Sequence, residues 1–112
     1  VLVPIQCEYY ALEGISQLIY TINLVRERLN PTLNIEGVVF TMFDSRTNLS
    51  QQVVNNVKEN LAQYVFDTVI PRNIRLAEAP SHGMPITEYD PRSIGAKSYI
   101  NLAKELIKKN KN

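Results

Sequence analysis

Residues 65–85 read VFDTVIPRNIRLAEAPSHGMP, and how this stretch divides decides the fold. Its opening, Phe66–Ile70, is rich in the β-branched and aromatic side chains that favour strands. Pro71 stops the run, because proline has no N–H to give to a ladder. From Pro71 to Pro85, Pro71, Pro80, Pro85 and Gly83 punctuate a segment that reads as one long loop, and no helical pattern resumes until about Asp90. The loop carries Arg72, Asn73, Arg75, Glu78, Ser81 and His82, while Ile74, Leu76 and Ile86 argue against disorder. Loops of this length are uncommon in compact domains unless they carry function. A polar loop just past the end of a buried strand is where open α/β sheets keep a ligand.

Outward from this stretch, the chain alternates strand and helix. Val1–Ile5 is an apolar run, hence a buried strand. From Tyr10 the period changes: Ala11, Ile15, Leu18, Ile22, Val25 and Leu29 step by fours and threes, one face of an amphipathic helix. Asn30-Pro31 ends it, since the residue before proline is pushed out of the helical region. IEGVVFTMF, residues 35–43, predicts a second buried strand. Val53, Val54, Val57, Leu61 and Val65 mark a second helix, with Asp44 a candidate cap ahead of it. Asp90-Pro91 predicts the last helix start, and Ala96, Tyr99, Ile100, Ala103, Leu106 and Ile107 its buried stripe. The order βαβαβ-α predicts an α/β fold with a parallel sheet whose strand C-termini share one edge. Gln6–Tyr10, Thr41–Asn48 and Pro71–Ser81 are therefore expected to meet in space. Three strands also leave a sheet edge unpaired, which predicts self-association through that edge.

Bulk properties narrow the function classes. The 112 residues are 45% hydrophobic with a net charge of +1, which suits one small domain and excludes a histone-like polycation. Cys7 is the sole cysteine, so a disulfide framework is excluded and a reducing compartment is expected. No run of about 18 apolar residues is present to span a membrane. The chain opens on Val inside a strand, which reads as a piece of something longer. Gly14, Gly37, Gly83 and Gly95 are scattered and open no phosphate loop. One Cys and one His cannot close a zinc site, and no catalytic constellation is complete, so neither catalytic nor metal residues are assigned. What remains is a binding wall: Thr41, Met42 and Asp44 leaving the second strand, with Pro71, Arg72 and Asn73 leaving the third beside it. Met and Pro can flank a flat base while Asn or backbone groups meet its edge.

PIQCEYYALEGISQL, TMFDSRTNLSQQV, VIPRNIRLAEAPSHGMPI and YDPRSIGAKSYINLAKE, in that order, resemble the C-terminal half of ParA/Soj-type chromosome-partitioning ATPases. These belong to the deviant Walker A family that includes MinD. The resemblance implies a partial P-loop NTPase-like three-layer fold lacking the N-terminal Walker A half, with residues 1–112 forming the C-terminal part of one ATPase domain. It implies that Thr41, Met42, Asp44, Pro71, Arg72 and Asn73 lie on the adenine side. ATP and Mg²⁺ would belong to the full-length parent, with nothing bound tightly by this chain alone and no hydrolysis by it. The parent would dimerise with ATP, bind double-stranded DNA without sequence preference, and work with a ParB-type partner in the cytoplasm on the nucleoid. Arg46 and Arg75 match basic residues implicated in the DNA contact; Arg92 and Lys97 could extend the patch. Gln6, Glu8, Tyr9 and Gly14 match a strand-to-helix turn near the dimer face. The KKNKN end lacks the apolar residues of the membrane helix of MinD-like proteins, so no membrane partner is expected. A self-standing nucleic-acid-binding module, another ATPase of the same family and a flavodoxin-like domain are the alternatives.

Overall fold

The computed structural model describes residues 1–8 and 11–111. Tyr9, Tyr10 and Asn112, which the sequence reading used at the first turn and in the tail, lie outside the described residues. Three strands, β1 (Leu2–Gln6), β2 (Gly37–Phe43) and β3 (Val65–Pro71), form a parallel sheet in the order β1-β2-β3. Helix α1 (Ala11–Arg28) joins β1 to β2, and α2 (Asn48–Leu61) joins β2 to β3. Both pack on one sheet face, where Ile22, Val53 and Val57 meet Val3, Ile5, Val38 and Phe40 in the main core. Cys7 is buried here as a small apolar side chain, and burial pushes its thiol pKa up to about 11. The expected α/β architecture and parallel sheet are what the chain adopts.

The segment after β3 departs from expectation. It is not a structureless loop: it folds into α3 (Ile74–Glu78), a 3₁₀ turn at Ala79–His82 and α4 (Ile86–Tyr89). Asn73 caps α3 by accepting from the backbone N–H groups of Arg75 at 3.1 Å and Leu76 at 3.3 Å. Pro80 sits at the start of the 3₁₀ turn, where its missing N–H costs nothing, and Gly83 at φ +64° closes it. Ala79, Ile86 and Ala96 bury together against Leu76 and Tyr89, a small second core that short-range periodicity does not reveal.

Helix α5 (Ile94–Lys109) runs along β3 on the second sheet face. Its cap is Ser93, not Asp90: the Ser93 hydroxyl accepts from the Ala96 N–H at 3.1 Å, while the Asp90 carboxylate pairs with Arg75 at 3.2 Å. Its buried side is also different. Gly95, Ala96 and Ser98 are buried, with Leu102, Glu105 and Leu106 half-buried, whereas Tyr99, Ile100, Ala103 and Ile107 are exposed. Likewise Leu29 lies exposed beyond α1, Val65 belongs to β3 rather than α2, and the α2 cap is Thr47 in place of Asp44. The Asp44 carboxylate is engaged by Arg46 instead.

Glycine 37 shows how tightly the second face is packed. A Cβ there would lie 2.0 Å from the Phe66 ring, which is itself covered by the Lys109 ammonium at 4.1 Å. The β2–β3 pairing is also irregular, since the two steps from Val38 to Phe40 face four from Val65 to Val69. Glu105 on α5 takes up the N–H groups in that bulge, accepting from Asp67 at 2.7 Å and Thr68 at 2.8 Å. Burial alone would raise its pKa, but the Thr68 hydroxyl and these N–H groups hold it below the usual carboxylate range. The folded-state value is depressed, so the stabilisation is full above the unfolded pKa of about 4.3 and disappears as pH falls through the folded value. We expect Glu105→Gln to cost about 1–2 kcal/mol at pH 7. Urea melts at stepped pH should show the gap to wild type closing below about pH 4; a gap independent of pH would show that the carboxylate's charge is not the source.

Candidate functional site

Because the sheet is parallel, the ends of β1, β2 and β3 emerge on one edge. Backbone bonds tie them there: the Cys7 N–H donates to the Thr41 carbonyl at 3.0 Å, and the Arg72 N–H to the Phe43 carbonyl at 2.9 Å. The Arg72 guanidinium then reaches across to Glu8 at 3.2 Å. The expected convergence of the three strand-end segments is present for their described residues.

Below this edge, on the sheet face that carries α5, lies a groove of about 820 Å³. Thr41, Met42, Pro71, Arg72 and Asn73, five of the six residues assigned to the adenine side, line it together. Pro4, Gln6, Ile70, Ile74, Leu76, Ala77 and Tyr99 complete its floor and walls. Sequence reasoning gave none of these to the binding wall and placed Gln6 at a turn near the dimer face, although Pro4 and Gln6 alternate with the buried Val3 and Ile5 and so had to face the other side. Asp44, the sixth, is elsewhere: it lines a separate edge pocket of about 470 Å³ with Cys7, Glu8, Thr47 and Ser50. Met42 and Arg72 border both spaces.

The groove's chemistry is specific. Its size is within the range of small-molecule sites, and its lining is mostly apolar, with few polar groups. The Asn73 carbonyl oxygen is already spent on capping α3, so only its NH₂ remains to donate to a ligand. A flat heterocycle with ring-nitrogen acceptors fits such a lining. A triphosphate's demands are not met here: the groove holds neither a glycine-rich cradle nor a lysine. Among the described residues no group of three or more His, Cys, Asp or Glu stands close enough to hold a metal ion.

The four basic residues divide into two kinds. Arg46 is exposed but doubly bonded to Asp44, Nε to Oδ1 and Nη2 to Oδ2, both at 3.0 Å. That fork, with the Arg46 backbone N–H, holds the Asp44 pKa down at about 2. Arg75 pairs with Glu78 and Asp90, each at 3.2 Å, and its guanidinium lies 5.9 Å from the centre of the Tyr89 ring. The Tyr89 hydroxyl donates to Glu78 at 2.6 Å and His82 stacks on the Tyr89 ring at 4.7 Å. Arg75 is thus the hub that ties α3, α4 and the loop into α5 together. Arg92 and Lys97 are exposed, on that loop and on α5.

Two contacts missed in the sequence are open to test, and the first holds the groove in shape. A Cβ on Gly95 would lie 2.5 Å from Leu76 Cγ, so glycine lets α3 sit against α5. Gly95→Ala is expected to push Leu76 outward and cost about 1–3 kcal/mol, with backbone shifts at Asn73 in heteronuclear spectra; unmoved Asn73 signals would show that α3 does not depend on this contact. For the fork, carboxyl-carbon NMR should find Asp44 titrating near pH 2 and moving up toward about 4 in Arg46→Ala, without reaching it, because the backbone N–H at position 46 and the Arg72 charge still hold it down. The depressed value means the pair is intact above about pH 4 and breaks as pH falls through about 2.

Comparison with known proteins agrees with this architecture. The profile of the CobQ/CobB/MinD/ParA nucleotide binding domain matches residues 4–86. The chain is 60% identical over 106 residues to the sporulation initiation inhibitor protein Soj of Bacillus subtilis, covering 95% of this chain and 42% of that protein. It is 54% identical over 109 residues to the chromosome partitioning protein ParA of Myxococcus xanthus, covering 97% and 38%. The chain therefore spans about two fifths of the length of these curated relatives. Among solved structures, a cobyrinic acid a,c-diamide synthase from Mycobacterium smegmatis superposes with a TM-score of 0.71 at 31% identity, over 96% of this chain and 37% of that one.

Proposed function

The chain belongs to the CobQ/CobB/MinD/ParA nucleotide-binding domain family, and from that premise we propose that it forms the adenine- and DNA-side part of a ParA/Soj-type partitioning ATPase domain. The partition branch is favoured over the amide-synthase branch by the identities, 50–60% to Soj and ParA proteins against 31% to the synthase. The observation that carries the nucleotide reading is the shared groove of Thr41, Met42, Pro71, Arg72 and Asn73. In this reading Met42 and Pro71 flank the base, and the Asn73 NH₂ donates to a ring nitrogen. The Glu8–Arg72 pair stands beside the groove, where Arg72 can turn from carboxylate to ligand. ATP supplies the free energy of the cycle; its phosphates and Mg²⁺ fall to residues outside this set. Asp44 serves the site indirectly, by orienting Arg46.

The DNA surface in this reading is the patch of Arg46, Arg75, Arg92 and Lys97, doubled in an ATP-bound dimer. Phosphate contacts are local and additive, so a chain of net charge +1 can still bind through such a patch. A ParB-type protein is the partner that the partition role requires, and the nucleoid its place of action.

The test is salt-dependent binding of non-specific duplex DNA by the ATPase that carries this chain, with and without ATP. Arg46→Ala and Arg75→Ala should each weaken ATP-dependent binding and reduce the salt slope by about one. Arg75→Lys separates the roles, since it keeps a charge but loses the fork to Glu78 and Asp90. Binding and slope unchanged in both alanine variants would remove these arginines from the interface. Equal binding without ATP, by this chain alone, would favour a self-standing nucleic-acid-binding module.

A further inference from the structure

The pairing of β2 with β3 contains a second irregularity, at the groove itself. From Phe40 to Phe43, three steps along β2 face two along β3, from Val69 to Pro71. On the other side β1 keeps regular register through Gln6 opposite Thr41. The surplus residue is therefore Met42, and its φ is +52°, in the left-handed region that bulky L-residues avoid. Its neighbours are clamped, the Thr41 carbonyl by Cys7 and the Phe43 carbonyl by Arg72.

This surplus residue changes which side chains face the groove. Val38 and Phe40 point into the core with α1 and α2, and strict alternation would send Met42 there and Phe43 to the opposite face. Instead Phe43 packs against that core, and the consecutive residues Thr41 and Met42 both line the groove. Met42 also borders the edge pocket, so it stands in the wall between the two spaces. Bulges beside ligand sites re-aim side chains in this way.

We propose that Met42 is a positioning residue whose left-handed backbone, as well as its thioether, sets the wall against which a flat purine base lies. This rests on the nucleotide reading above and adds to it the device that shapes the site. The bulge is then part of the recognition surface rather than a defect of the strand, and its effect on base binding is separable from its effect on folding.

Two substitutions isolate the backbone term. Met42→Ala and Met42→Gly both remove the thioether, but only glycine adopts positive φ freely, so the glycine variant should melt about 4 °C or more above the alanine variant. Deleting Met42 removes the surplus residue, and the regular pleat then carries Phe43 into the core unaided. That variant should fold cooperatively yet bind adenosine at least about tenfold more weakly. Met42→Leu, which keeps the bulge and an apolar side chain, should stay within about threefold. Adenosine is the probe, followed by methionine-methyl and backbone NMR on the 112-residue chain. Met42 and Met84 are its two methionines, and exposed Met84 is the internal control that should not move. Equal melting of the glycine and alanine variants, a deletion variant that fails to fold, or one that binds adenosine like wild type would each overturn the proposal while leaving the nucleotide reading in place. A wild-type chain in which saturating adenosine moves no groove resonance would overturn that reading, and this proposal with it.

Discussion

The alignment of β2 with β3 is the constraint on which the rest depends. Parallel pairing puts the strand ends on a common edge, but a regular ladder would present an alternating, evenly spaced surface there. This pair is regular neither at its start nor at its end. Surplus residues fall on β3 between Val65 and Val69, and on β2 at Met42. Each irregularity leaves backbone groups or side chains off the ladder's pattern, and each is resolved by a particular partner. At the start, Glu105 reaches from α5 to accept the N–H groups of Asp67 and Thr68. At the end, Arg72 donates its backbone N–H to Phe43 and restores the pairing just past the bulge. The first resolution fixes α5 on the sheet; the second aligns the floor of the groove.

From α5 the order passes to the short helices. Gly95 admits Leu76, so α3 lies against α5 without a gap. Asn73, at the head of α3, is thereby held at the groove with its oxygen engaged and its nitrogen open. The site is therefore supported from two directions, by strand ends below and by α3 at the side. Arg75 adds a third support, since Glu78, Tyr89 and Asp90 all converge on it.

The fold class and the strands were legible in the sequence because apolar runs and punctuating prolines are local signals. Five of the six residues assigned by resemblance to the adenine side also line one groove, since parallel topology forces strand C-termini together whatever the details. What escaped was mainly non-local. The short helices at Ile74–Glu78 and Ile86–Tyr89 start from a local signal that was passed over, the Asn73 cap, but they depend on burial of Ala79 and Ile86 against Ala96, a contact that no short window of sequence contains. The face of α5 was misjudged because Tyr99, Ile100 and Ile107 are large and apolar yet exposed, whereas the helix makes its closest approach to the rest of the fold through small Gly95, Ala96 and Ser98. Size of side chain and closeness of approach compete, and close approach decided. The bulge at Met42 had no sequence signal at all, because glycine or asparagine normally marks positive φ.

Charge pairing constrains how the basic patch can act. Arg46 and Arg75 are not idle cations: each is matched to carboxylates within 3.2 Å. Binding a phosphate requires each guanidinium either to leave its carboxylate or to share its remaining donors. For Arg46 leaving is costly in direction, because the Asp44 carboxylate is held ionised down to about pH 2 and would stand beside an incoming anion unpaired. Sharing is geometrically open, since Arg46 is 85% exposed and its fork to Asp44 uses Nε and Nη2. The Nη1 hydrogens stay available to solvent or phosphate. The carboxylate then acts as an orienting group that fixes the guanidinium plane and reduces the entropy lost when it docks. It also lowers the local positive field, so in the function proposed above a single copy of the surface would hold polyanions weakly and two copies side by side would gain disproportionately. In that proposed function the combination would tie affinity to assembly.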